Sequence, residues 1–250
     1  AGRAGGADFR SKALRVLVAL YGSTWHDAAL DPYSFTTPTM TTLKSAFAAS
    51  NAKFVGVGVG VTTEGQPNEL SDASKSNVPP AAFGASCTAG QCCTDVNGAA
   101  RAPQGPGGTC RLNFLAASDG SGLTGSLVKA VQAIVVGSKL DATFALENDP
   151  LNGSFDATKL VKVAALDTGD APSGCPAMTA KDTNGDGTLD TFLAVAAGTP
   201  LCFQVTTNTA ALPAATALPQ VYAVAFEVLG QPGNVLLDRR TILFVIPPKP

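Results

Sequence analysis

Charge and histidine are both scarce in this chain, and each scarcity removes a class of function. Only 14% of its 250 residues are charged, 17 Lys+Arg against 19 Asp+Glu, for a net charge of −2. No basic field exists to draw in nucleic acid or anionic lipid, so neither partner is expected. His26 is the only histidine. A Ser-His-Asp mechanism would have to run through it with Ser23 and Asp27, yet triads are assembled from separate elements and not from one short loop. The expectation is a protein that is not an enzyme. No apolar run approaches the roughly 20 residues that cross a bilayer as a helix, so no membrane span is expected either.

The sequence is rich in small and apolar residues. A hydrophobic content of 45% over 250 residues is enough for one large domain or two ordinary ones. Six cysteines, 26 glycines and 17 prolines favour an oxidising compartment outside the cytoplasm, and the protein is read as secreted or displayed at a cell surface.

The sharpest chemical signal lies at 182–190. Asp182, Asn184, Asp186, Thr188 and Asp190 stand at positions 1, 3, 5, 7 and 9 of a loop with Gly187 at position 6. A hard divalent cation takes six to eight oxygens, and this spacing offers carboxylates, an amide oxygen and the Thr188 carbonyl around a glycine turn. Calcium is the expected cofactor. Leu193 replaces the bidentate glutamate of position 12, so affinity should fall in the weak extracellular range, on the order of 0.1–1 mM, with Asp167 and Asp170 as reserve ligands. The competing reading is a run of Asx turns without metal. Cys175 and Cys202 flank the loop and are expected to bridge. Cys87, Cys92, Cys93 and Cys110 are expected to form two further disulfides of open connectivity, because their spacing does not suit zinc.

The pattern of the chain changes near residue 138. Before it, apolar runs at 14–20 and 54–61 read as parallel strands buried on both faces. A helix between them is capped by Thr37, started by Pro38, faced by Met40, Leu43 and Phe47, and stopped by Asn51. Residues from about 62 to 110 read as a Gly/Pro/Ser-rich surface insertion. A third strand at 112–116 leads through Ser121 into a helix with Leu123, Leu127, Val131, Ile134 and Val135 on one face, closed by Gly137. Gly56, Gly58 and Gly60 alternate within a strand, so they are not a dinucleotide loop and instead let a helix approach. After 138, period-two runs at 142–146, 160–166, 191–196, 201–206, 221–228 and 235–246 read as a β-sandwich of immunoglobulin-like kind. Two domains follow, 1–138 and 139–250. Asn152-Gly-Ser154 is read as a turn, and Asp238-Arg239-Arg240 as a solvated face or ion pair.

The order of strand, Trp25-His26-Asp27, capped helix and Phe54-Val-Gly-Val-Gly-Val resembles the second half of a von Willebrand factor A domain, in particular those that bacteria display at their surface. The likeness covers roughly residues 8–136, and the tail is similar to the β-rich domain that follows in such proteins. It implies adhesion, or binding of a protein or cell-surface ligand. Residues Trp25, His26 and Asp27 would lie at the ligand-binding ends of the parallel strands. The family's adhesion metal is not implied: no Asp-x-Ser-x-Ser precedes Leu14, and Gly22 stands where the family carries aspartate. A parallel sheet without its first strands leaves an open edge, so either the missing half of the domain or a second copy is expected to complete it. The rival functional readings are a spacer module of a larger secreted protein and a hydrolase using His26.

Overall fold

The computed structural model describes residues 9–25, 38–60, 65–83, 93–94 and 100–249. The chain divides into two compact units, Ala1–Ser138 and Lys139–Pro250. The first has mixed α/β character. Its elements in chain order are β1 (Val16–Tyr21), α1 (Met40–Ser50), β2 (Lys53–Val59), α2 (Gly65–Ala73), β3 (Asn77–Val78), β4 (Cys93–Thr94), β5 (Ala100–Arg101), β6 (Cys110–Arg111), β7 (Asn113–Ala116) and α3 (Leu123–Gly137). A parallel sheet of order β1-β2-β7 forms its centre.

Strand β2 is the central strand, with Phe54, Val55 and Val57 fully buried. Because side chains alternate across a strand, Val55 and Val57 face one layer and Phe54 the other. The first layer holds α3 through Ala130, Ala133 and Ile134. Phe54 meets Phe47 of α1 and Leu70 of α2 on the opposite side. The expectation that 14–20 is buried on both faces is corrected: among the described residues β1 is an edge strand, and Leu17, Val18 and Leu20 are exposed. The helix that was to be capped by Thr37 begins later. Thr39 caps it by accepting from the Thr42 N–H at 3.1 Å, and Asn51 ends it in the left-handed region, φ 51°. Thr37 lies outside the described residues. Arg15 donates to the Ser50 carbonyl at 2.7 Å, placing a cation where the helix carbonyls converge.

Two further corrections concern the helices. The stretch 62–110 is not only a surface insertion, since within it α2 places Leu70 in the core at 1% exposure. On α3, Gly122 rather than Ser121 occupies the cap position. Its buried stripe is Ala130, Ala133 and Ile134 with Leu123 and Leu127, whereas Val131 and Val135 are exposed. The helix has two apolar faces, and the sequence pattern merged them. Glycine at position 56 is explained by a side chain: a Cβ there would lie 2.4 Å from Asn113 Oδ1 and 3.0 Å from the Phe54 ring.

In the second unit β8 (Leu140–Asn148), β9 (Val161–Ala165), β10 (Ala180–Lys181), β11 (Thr191–Val195), β12 (Phe203–Thr207), β13 (Gln220–Gln231) and β14 (Val235–Ile246) follow one another. A five-stranded antiparallel sheet runs β10-β11-β8-β13-β14, and β12 pairs antiparallel with β9. Phe203 of β12 joins the two sheets, with its ring 5.7 Å from Phe144, 5.2 Å from Phe192 and 5.4 Å from Phe226. Every predicted strand after 138 is present, β14 with the predicted ends. The Asn152 side chain is consumed by backbone pairing, Nδ2 donating to the Ala223 carbonyl and Oδ1 accepting the Ala223 N–H. It clamps this turn to β13.

The two faces of α3 give a direct test. Ile134→Ala should lower the unfolding free energy by about 2–5 kcal/mol, as core truncations do. Val135→Ala should change it by less than about 0.5 kcal/mol. Urea midpoints of the two variants measure both.

Candidate metal centre

The loop 182–190 lies between β10 and β11, which pair Lys181 with Thr191 across its mouth. Its acidic side chains accept hydrogen bonds from the loop's own backbone. Asp182 Oδ1 accepts the Gly185 N–H at 2.7 Å and Oδ2 the Gly187 N–H at 2.8 Å. Asn184 Oδ1 accepts the Asp186 N–H at 3.0 Å, and Asp186 Oδ1 the Thr188 N–H at 2.8 Å. Gly185 and Gly187 have positive φ, 79° and 86°, which lets the chain reverse twice within the loop. Each accepting oxygen of Asp182, Asn184 and Asp186 keeps a further lone pair.

Asp190 is placed differently. It is buried, and its Oδ1 accepts both the Thr183 and the Thr191 hydroxyl at 2.7 Å. The Thr183 N–H also reaches its carboxylate at 3.2 Å. Burial alone would raise its pKa, but the hydrogen bonds from Thr183, Thr191 and the backbone outweigh it and hold Asp190 below the usual carboxylate range. Asp190 therefore ties the loop's exit to its entry. Among the described residues, no group of three His, Cys, Asp or Glu side chains is near enough to hold a metal by itself. Asp170 of the reserve pair is engaged by the Ser173 hydroxyl.

Cys175 and Cys202 are bonded, as the sequence suggested, and Cys93 is bonded to Cys110. Closing 27 residues in the first case removes unfolded-state entropy worth roughly 3–4 kcal/mol. The Cys93–Cys110 bridge lies in the core of the first unit. Cys87 and Cys92 fall outside the described residues, as do His26 and Asp27. Trp25 is described and packs downward. Its ring meets Tyr21 and Phe54 edge-on at 5.8 Å, and its backbone N–H and C=O both bond to the Gln66 side chain. Beside it Tyr21, Ser23, Thr24, Gly65, Gln66 and Pro67 line a shallow cleft of about 210 Å³.

Three polar arrangements escaped the sequence. Tyr21 donates to Asn113 Oδ1 at 2.9 Å and Asn113 to Asn68 Oδ1 at 3.0 Å, a buried chain across β1, β7 and α2. Arg111 grips Asp72 with two hydrogen bonds of 2.9 and 2.7 Å and holds its carboxyl below the usual range. Arg239 reaches from β14 to the fully buried Glu227 at 3.1 Å and to Glu147 at 3.6 Å. Its neighbours Asp238 and Arg240 form the exposed ion pair expected of that segment. No periodicity or motif marks such pairs, because the partners are distant in sequence.

The chain matches no family model, no curated protein and no solved structure.

Asp190 generates a pH prediction. Its folded pKa is depressed, so the stability it contributes is present above the unfolded value near pH 4 and is lost as pH falls through the folded value. Asp190→Asn should cost about 1–3 kcal/mol at pH 7, and its stability should decline less steeply than the wild type's below about pH 4. Urea denaturation at pH 7 and pH 3 checks both the loss and the changed slope.

Proposed function

We propose that this chain is an extracytoplasmic, non-catalytic binding protein whose second unit carries calcium in the loop 182–190, and whose role is adhesion or attachment to a protein or cell-surface ligand. The observation that supports the calcium reading is the fixing of the Asp182, Asn184 and Asp186 side-chain oxygens by N–H groups of Gly185, Asp186, Gly187 and Thr188. The ion's work would be structural. Carbonyl and carboxylate ligands on a loop closed by β10 and β11 would stiffen a surface. Two disulfides support an oxidising location, and no helix among the described residues is long and apolar enough to cross a membrane.

The adhesive role rests on the resemblance of the first unit to part of a von Willebrand factor A domain. The parallel pairing of β1 with β2, the intervening helix α1 and the apolar β2 support that resemblance. A packed Trp25 favours a scaffolding use of that residue over direct ligand contact.

A metal-free chain of Asx turns is the second reading of the loop, and the engagement of Asp190 by Thr183 and Thr191 favours it. Thermal melting separates the two. With a dissociation constant on the order of 0.1–1 mM, 10 mM calcium should stabilise the fold by roughly 1.4–2.7 kcal/mol over chelator, a rise of several degrees in Tm. Asp186→Ala should abolish that rise while leaving the melt in chelator within about 1 kcal/mol of wild type, because Asp186 is exposed. A wild-type melt indifferent to calcium would establish the metal-free loop.

A further inference from the structure

The turn that ends α2 carries a lysine where glycine is the usual residue. The helix closes in a Schellman motif: the Ser76 N–H donates to the Ser71 carbonyl at 2.8 Å and the Lys75 N–H to the Asp72 carbonyl at 3.1 Å. Lys75 itself takes the left-handed conformation, φ 52°. A side chain there costs on the order of 1–2 kcal/mol, which glycine would avoid. Backbone outliers of this kind concentrate at working sites.

The turn acts on Lys53, the half-buried first residue of β2. The Lys75 carbonyl, free of the helix, accepts a hydrogen bond from the Lys53 Nζ at 2.7 Å. The exposed Lys75 ammonium is close enough for its charge to be felt at Lys53. No opposite charge offsets it. Asp72 is committed to Arg111 by two hydrogen bonds, and Glu69, the other carboxylate of α2, is paired with Lys44 at 2.6 Å. The Arg15 guanidinium, from the neighbouring β1 side, is turned to the Ser50 carbonyl. Among the described residues, no carboxylate forms an ion pair with Lys53.

Burial disfavours the charged form of an amine, and the neighbouring ammonium disfavours it further. Both causes, burial first, lower the Lys53 pKa from its ordinary value. A lysine that is desolvated and set beside another cation is an activated nucleophile, because the neutral amine carries the reactive lone pair. One N–H of Lys53 is held by the Lys75 carbonyl, which restricts the side chain and leaves that lone pair available.

We infer that Lys53 is a covalent modification site, a nucleophilic amine that captures the carbonyl carbon of small aldehydes ahead of the other lysines of the chain. The Nζ lone pair bonds to the aldehyde carbon while the C=O π pair moves to oxygen, and a proton passes from nitrogen to oxygen to give a carbinolamine. Loss of its hydroxyl as water, with a second proton leaving nitrogen, forms the imine. The net change is amine plus aldehyde to imine plus water, with nothing oxidised or reduced. Water reverses it. The capture depends neither on the loop 182–190 nor on the proposed attachment role.

Reductive methylation of the full chain tests the site. Formaldehyde below one equivalent is added at pH 7 with cyanoborohydride, which traps the imine as a methylated amine, and peptide masses locate the methyl groups. Of the ten lysines, Lys53 should be labelled first. Its rate should exceed that of the exposed Lys162 and Lys181 by more than about fivefold. Exposure alone predicts the reverse order. Lys75→Gly suits the left-handed turn and removes the neighbouring ammonium, so it should slow Lys53 by more than about twofold and leave Lys162 unchanged. Circular dichroism confirms that the variant folds. In concentrated guanidinium chloride the preference should vanish. Labelling of Lys53 no faster than that of the exposed lysines overturns the inference, as does a rate indifferent to Lys75→Gly or a preference that survives unfolding.

Discussion

Burial of β2 on both faces is the constraint on which the first unit depends. A strand whose neighbours cover only its edges needs a layer above and a layer below, and the sequence supplies them on either side of it. Helices α1 and α2 close over Phe54, and α3 closes over Val55 and Val57. Gly56 leaves room within this strand, which Asn113 uses to bring its amide between Tyr21 and Asn68. A fully buried amide costs free energy unless both its ends are bonded, and here both are. The buried chain therefore fixes β7 and α2 against β1 with a specificity that aliphatic packing alone does not provide.

Charge is rare in this protein, so the ion pairs it keeps inside are informative. Asp72 and Arg111 join α2 to β6 in a two-point contact, and Asn77 donates a third hydrogen bond to the same carboxylate. Glu227 is entirely buried on β13 and meets an arginine that is half exposed. The arginine's fork lets one solvated cation serve both Glu227 and Glu147. Neutralising a buried carboxylate from the surface avoids burying the cation as well, which lowers the desolvation cost that usually cancels the gain from such pairs.

Much of the architecture was legible because it depends on local patterns. Period-two alternation located the strands of the second unit, and Asn51 and Gly187 marked reversals that only glycine or a tolerant asparagine makes readily. The failures share a different cause. An apolar strand looks the same in sequence whether it lies at the centre or the edge of a sheet, so β1 was expected to be buried like β2. Likewise α3 carries aliphatic residues around more than half its circumference, and period alone does not say which stripe meets the sheet. Helix α2 was hidden by Gly65, Pro67 and Asn68, poor helix formers whose conformation is set by tertiary contacts of Leu70 and Ser71. The candidate loop was legible as a spacing. The diversion of Asp190 into the loop's own closure was not, since it depends on two threonine hydroxyls turning toward it.

That diversion changes how the loop should be understood. In a loop that lacks the bidentate glutamate, an incoming ion would ordinarily have to order the backbone as well as bind to it, and the ordering cost would oppose binding. Here the ends are already joined by the β10-β11 pairing, the Asp190 carboxylate and, further out, the Cys175–Cys202 bridge. The oxygens of Asp182, Asn184 and Asp186 are held by backbone N–H groups of the loop itself. For the proposed ion, such preorganisation would offset a small ligand set, because little conformational entropy would remain to be lost on binding. It also means that removing an ion would leave the loop largely folded, so a cation at this place would tune the rigidity of the surface and not decide whether the unit folds.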